Sequence, residues 1–255
     1  MKNLLLILIL SLTGCSQIVM ELVKDDPVKI QPRTDLWKSL PTLDGPPIPI
    51  AVYGFTDKTG QRRPSDKTAQ LSTAVTQGAE VFVIKSLHDA SNWFRVVERV
   101  GLDNLVKERQ LIRNQRETYE GKDAKPLKPL TVAGLMIDGA IVGYDSDIRT
   151  GGLGARAFKL GASQQYRVDE ITVSMRLISI TSGEILLTTA VTKTIYSLVD
   201  DKGLMMFVSA GTSALEIEQG SSINEPVTYS VRVAIEQCIY EMILEGEKKN
   251  LWRYK

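Results

Sequence analysis

Residues 143–185 read GYDSDIRTGGLGARAFKLGASQQYRVDEITVSMRLISITSGEI. Together with the continuation to Ile223 they make a long stretch rich in Gly, Ser and Thr and poor in helix signals. It is broken into strand-sized pieces at Gly161, at Ser182-Gly183 and at Asp200-Asp201-Lys202-Gly203. Two pieces flank Gly161 and two flank Gly203, which predicts two long hairpins over 143–170 and 185–223, joined by a connector over 171–184. Within the connector Ile171, Val173, Met175 and Leu177 share one face against Thr172, Ser174 and Arg176, so it reads as a half-buried strand of a sheet with a core behind it. The hairpins alternate imperfectly, as strands of membrane β-barrels do. A hairpin standing alone is unstable in water or lipid because its edges lack partners, so a membrane role requires several chains to share one closed barrel.

On either side of this stretch the pattern is α/β, over 48–142 and again over 224–255. Ile48 to Phe55 is a short apolar run closed by Thr56-Asp57-Lys58-Thr59-Gly60, which predicts a core strand and a turn. Ser72 and Thr73 are of the type that caps a helix, and Val75, Ala79, Phe82, Val83 and Leu87 follow at the spacing of one buried face. Trp93 to Val97 returns to strand character. Gly101 to Gln115 places Leu102, Leu105, Val106 and Ile112 on one face and basic residues on the other, predicting a second amphipathic helix. Leu135 to Val142 is a further apolar strand. After Glu225-Pro226, the residues Val231, Ala234, Ile235, Cys238, Ile239, Met242 and Ile243 recur at three and four, marking a third helix. Strand, helix, strand, helix, strand is the order of an α/β unit, so the fold class expected is α+β: an α/β domain carrying two long hairpins.

The N-terminal residues 1–14 read as a leader, with Lys2 ahead of the apolar run Leu4–Leu12, which is too short for a membrane span of about 20 residues. Leu12-Thr13-Gly14-Cys15 resembles a bacterial lipobox, in which Cys15 is acylated and becomes the first residue of the mature chain; the alternative is an ordinary cleaved signal with an incidental cysteine. Ser16 rather than aspartate follows, which favours sorting to the outer membrane. Residues 15–47 contain Pro27, Pro32, Pro41, Pro46 and Pro47 without sustained periodicity, and read as an extended tether.

The 255 residues are 43% hydrophobic and 24% charged, enough apolar content for a sizeable core. Lys and Arg total 31 against 30 acidic residues, with no long block of one sign, so nucleic acid is not an expected partner. One histidine and two cysteines remove Cys/His zinc sites, and acylation of Cys15 leaves Cys238 unpaired in a helix core. Gly152-x-Gly154-x-x-Ala157 matches a dinucleotide motif in letters only, because Tyr144-Asp145-Ser146-Asp147 before it is no buried strand and Gly161 interrupts any helix after it. His88 has no nucleophile motif beside it and reads as a surface or cap residue. Asp145 and Asp147 share a strand face and read as facing water rather than as a carboxylate pair for catalysis. No catalytic residue, cofactor or metal is expected.

Several clusters of residues carry a resemblance: Val52-Tyr53, Thr59-Gly60-Gln61, Pro64, Ser72-Thr73-Ala74-Val75, Glu98-Arg99, Glu108-Arg109, Gly143-Tyr144, Gly154-Ala155-Arg156, Gln165-Tyr166, Thr181-Ser182-Gly183-Glu184 and Asn224-Glu225-Pro226-Val227. In this order they resemble the curli secretion channel family, CsgG, from the lipobox to about Trp252. The resemblance implies a lipidated outer-membrane pore, a homo-oligomer of about nine chains, each giving four strands to one transmembrane β-barrel above a periplasmic α/β vestibule. It implies export of unfolded amyloid-type polypeptide across the outer membrane, contact with outer-membrane lipid, and periplasmic accessory factors as further partners.

In that family the loop before Ser-Thr-Ala-Val narrows the channel with aromatic residues and an amide. Here the loop reads Ser65-Asp66-Lys67-Thr68-Ala69-Gln70-Leu71 and is one residue longer, with Gln70 and Leu71 at the amide and aromatic positions and Ser65 or Asp66 in place of the tyrosine. The channel constriction expected from the resemblance is thus Ser65, Asp66, Gln70 and Leu71, more polar than in its relatives. A reading of another class is a monomeric periplasmic lipoprotein that binds and regulates an envelope enzyme.

Overall fold

Why the α/β segments form one sheet is visible in the order of their strands. The computed structural model describes residues 33–61, 74–121, 124–150, 165–199, 205–210, 217–220 and 225–255. The leader, Cys15, the tether up to Pro32, the loop bearing Ser65, Asp66, Gln70 and Leu71, the cap residues Ser72 and Thr73, and the Gly152–Ala157 motif lie outside the described residues. The chain divides after Arg33 into two units, and every described helix and strand belongs to the second, Thr34–Lys255.

The strands are β1 (Ile48–Asp57), β2 (Phe94–Val97), β3 (Leu135–Thr150), β4 (Gln165–Ser179), β5 (Ile185–Val199), β6 (Met205–Ala210) and β7 (Ile217–Gly220). They lie side by side in the order β2-β1-β3-β4-β5-β6-β7. β1 is parallel to both β2 and β3, and every later pairing is antiparallel. The helices are α1 (Glu80–Asp89), α2 (Leu102–Tyr119) and α3 (Glu225–Lys248). α1 packs on β1 and β2, α3 packs on β4 and β5, and the two helices touch each other, so both stand on one face of the sheet.

Periodicity explains that face. Val173, Met175 and Leu177 on β4 are buried, as the two-residue alternation requires, and they meet Val231, Ala234, Ile235, Cys238, Ile239, Met242 and Ile243 of α3, all of which are buried too. The Cys238 thiol lies 3.8 Å from the Val173 carbonyl oxygen, and burial pushes its pKa up to about 12, so it stays protonated as a core group. At the far end of the core Trp93 donates to the Pro41 carbonyl at 2.7 Å and meets Trp252 and Tyr254 edge-on.

Two helices depart from expectation. α1 begins at Glu80, not directly after Ser72-Thr73, although Val75 and Ala79 are buried as expected. The reason is local competition: the Gly78 N–H donates to Thr76 Oγ1 at 3.4 Å and Gln77 Nε2 donates to the Val75 carbonyl at 3.1 Å, bonds that replace a helical turn. α2 forms where expected, but it buries no residue, and Val106 and Ile112 of the predicted apolar face are exposed. Arg109, Arg113 and Arg116 interrupt that stripe, so too little apolar surface remains to repay docking on the sheet. Among the described residues no helix is long and apolar enough to cross a membrane, which leaves strands as a separate question.

Gly246 sits where α3 meets the returning tail, and a Cβ there would run into the Trp252 indole. Alanine at this position improves helix propensity by about 1 kcal/mol but must displace a buried ring. We expect Gly246→Ala to destabilise the protein by a net of up to about 2 kcal/mol, the overpacking cost of roughly 1–3 kcal/mol less the propensity gain, read as a lower denaturation midpoint. An unchanged midpoint would mean that Trp252 has another seat of equal energy.

Candidate functional site

The expected constriction loop springs from the end of β1. Asp57, the last residue of that strand, pairs with Ile141 of β3, and the Lys58 N–H donates to the Ile141 carbonyl at 2.9 Å. β1 goes no further along β3. Immediately beyond, between Ile141 and Gly143, the β3–β4 register shifts by a bulge, and β3 continues to Thr150. The root of the loop and the root of the first hairpin are therefore one place in the fold.

The Asp57 carboxylate holds both ends of that loop. Its Oδ1 accepts from the Thr59 N–H at 2.8 Å and from Thr59 Oγ1 at 2.7 Å, and Thr59 Oγ1 accepts in turn from the Gln61 N–H at 3.2 Å. These are the local bonds that Asp and Thr offer a turn, and Gly60 supplies the left-handed backbone the turn needs, with φ at 68°. Oδ2 accepts from Gln77 Nε2 at 3.1 Å, on the far side of the loop. Between them the Ala74 N–H donates to the Gln61 carbonyl at 3.0 Å. Residues 62–73 are thus closed by a backbone hydrogen bond and a carboxylate clamp at their base.

The Thr56–Gly60 turn is legible as a turn in the sequence, but the clamp is not. Asp57-x-Thr59 is a local signal, whereas Gln77 lies 20 residues on and carries no mark of its role. Ser65, Asp66, Gln70 and Leu71 belong to the clamped segment by sequence and lie outside the described residues.

Above the bulge the hairpin strands carry a polar cluster that sequence reading missed. Arg167 Nε donates to Asp169 Oδ1 at 3.0 Å and to Ser146 Oγ at 2.8 Å, Arg167 Nη2 donates to the Tyr144 hydroxyl at 2.8 Å, and Tyr144 donates to Asp169 Oδ1 at 3.0 Å. Asp169 is only 2% exposed, so the guanidinium and phenol supply the partners that a buried carboxylate demands. The cross-strand register, Ser146 opposite Asp169, brings these side chains to one face. The opposite face carries Tyr166, Val168 and Tyr196, with the two tyrosine rings 6.0 Å apart. That same face bears Asp145 and Asp147 on β3, both exposed, with Asp147 paired to Arg149 at 3.2 Å. Both are accessible on the chain taken alone. His88 is exposed in the last turn of α1.

β5 extends as one strand through Val199, and β6 pairs along its end from Thr194. The second arm of this hairpin comprises two strands rather than one: β7 turns back and pairs with β6 between Met205 and Val208.

Residues 38–255 match the family model described as curli production assembly/transport component CsgG. The chain belongs to the CsgG family. The curli production assembly/transport component CsgG of Salmonella typhimurium is 37% identical over 255 residues, covering 98% of this chain and 90% of that protein. The protein of the same name from Escherichia coli K12 is 38% identical over 227 residues, covering 88% of this chain and 81% of that protein. Among solved structures, the PelC dodecamer from Paraburkholderia phytofirmans shares 12% identity over 79% of this chain and 92% of that one, at a TM-score of 0.31. As a CsgG-family chain, the molecule combines the α/β layer and the paired hairpins in one continuous sheet, with the clamped loop at their junction.

Proposed function

We propose that this CsgG-family chain is a non-enzymatic, lipid-anchored pore of the bacterial outer membrane that exports unfolded polypeptide, curli-like amyloid subunits, from the periplasm to the cell surface. About nine chains form the ring, each giving its hairpins at 143–170 and 185–223 to one barrel over a periplasmic α/β vestibule. Cys15 carries the lipid. The loop with Ser65, Asp66, Gln70 and Leu71 narrows the channel.

One observation supports this reading above the rest. β3, β4 and β5 run unbroken from a helix-backed sheet into arms beyond it, and above Ile141 the outer edge of β3 has no partner strand among the described residues. An open edge of that length is satisfied by a neighbouring copy or invites aggregation. In lipid the neighbour is obligatory. One feature favours a second reading, the monomeric periplasmic regulator: β7 covers the outer edge of β6, as a strand does in a chain that stays alone. In the ring, β3 of the next chain must take that edge and β7 must leave it.

Detergent extraction followed by mass measurement and planar-bilayer recording separates the two. We expect a particle of about nine chain masses that conducts ions. A detergent-stable monomer without conductance overturns the pore.

A further inference from the structure

Helix α2 and the segment that returns beneath it enclose a groove of about 310 Å³, lined by Arg109, Arg113, Arg116, Glu117, Lys125 and Leu127 among others. The spacing of the three arginines, four and then three, puts them on one stripe of the helix. Two of them are held in place: Arg109 Nη2 donates to the Lys128 carbonyl at 2.6 Å and Arg116 Nη1 donates to the Lys125 carbonyl at 2.8 Å. Each of these guanidiniums keeps further N–H donors, since five are available per side chain. Arg113 stands between them, exposed, with no hydrogen bond or ion pair among the described residues. Among the described residues, four cationic side chains line the groove against one carboxylate, Glu117. Such a concentration of like charge opposes itself unless an anion answers it.

We infer that this groove binds an acidic polypeptide segment in extended conformation, one that presents carboxylates on alternate residues. Alternate side chains of an extended strand are spaced at about 7 Å, and arginines one helical turn apart at about 6 Å, so successive carboxylates meet successive guanidiniums. The guanidinium fork pairs with carboxylate in bidentate fashion, which an ammonium does not. Leu127 and the ring of Pro126 give the groove an apolar wall for the peptide's other side chains. The absence of a buried residue on α2 fits this use, since it leaves the arginine stripe open on one side. Binding of this kind does not depend on the pore and holds for a monomer equally.

The test uses the full-length lipoprotein in detergent and a fluorescent peptide of alternating Glu and Thr, followed by anisotropy. We expect saturable binding that weakens as salt rises, and that falls roughly tenfold or more in Arg113→Glu, whose exposed site leaves folding intact by circular dichroism. Lys38→Glu, which reverses an exposed charge elsewhere on the molecule, should bind as the parent does. Equal binding by Arg113→Glu, or an equal loss in Lys38→Glu, overturns the site. So does Arg113-dependent binding to phosphatidylglycerol vesicles, or displacement by inorganic phosphate, where the acidic peptide itself fails to bind: the groove would then serve a headgroup or a free anion rather than a polypeptide.

Discussion

Cys15→Ala should abolish incorporation of labelled fatty acid and lower the amount of protein in the outer-membrane fraction by roughly tenfold or more. Lipidation at a lipobox cysteine supplies several acyl chains, more than the two membrane signals that stable anchoring takes. Among the described residues no helix is long and apolar enough to cross the membrane. Hairpins can cross only after closing into a barrel with neighbouring copies, a step made efficient by gathering the chains in one membrane plane. The unacylated chain should accumulate as soluble periplasmic protein, its α/β layer folded, because the core around Val173, Met175 and α3 owes nothing to the lipid. Equal labelling of parent and variant would show that Cys15 is not the acylated residue. Equal recovery in the outer membrane with labelling lost would show that the hairpins insert unaided.

Most of the layered fold is legible because burial imposes a period. The α3 stripe from Val231 to Ile243 and the β4 alternation from Ile171 to Leu177 can be read from spacing alone, and every one of those apolar residues is buried. What resists reading are features in which polar groups override a pattern. The start of α1 moves to Glu80 because the side chains of Thr76 and Gln77 satisfy backbone groups that a helix would have used. The apolar residues of α2 look like a core face until the same spacing is applied to Arg109, Arg113 and Arg116, which fall among them rather than on the opposite face. The Tyr144–Arg167–Asp169 cluster is hidden because its members are distant in sequence and become neighbours only through the β3–β4 register. At the candidate site the turn residues are plain, whereas the Asp57–Gln77 clamp depends on where a helix begins, and spacing alone misplaces that beginning. The loop itself is identified through family resemblance, since no local period marks a constriction.

Substituting Leu71 tests that assignment most sharply. If the clamped loop forms the narrowest ring, one side chain per chain converges on the axis at a single height, so a change in bulk is multiplied by the number of copies. Leu71→Trp should lower single-channel conductance severalfold and Leu71→Ala should raise it, because the open area of a narrow pore varies steeply with side-chain size. Gln70 would supply amides that exchange hydrogen bonds with a passing unfolded backbone. Asp66 and Lys67, adjacent and opposite in sign, offset each other within the ring. A collar can gate by size only if its base is fixed, and here the Asp57 carboxylate ties Thr59 on one side to Gln77 on the other. Asp57→Ala releases both ends and should broaden the current fluctuations of the open channel more than it shifts their mean. Currents unchanged by both Leu71 substitutions would place the constriction elsewhere, and the roles given to Ser65, Asp66, Gln70 and Leu71 would fall together, while the clamp at their base would remain a feature of the fold in need of another use.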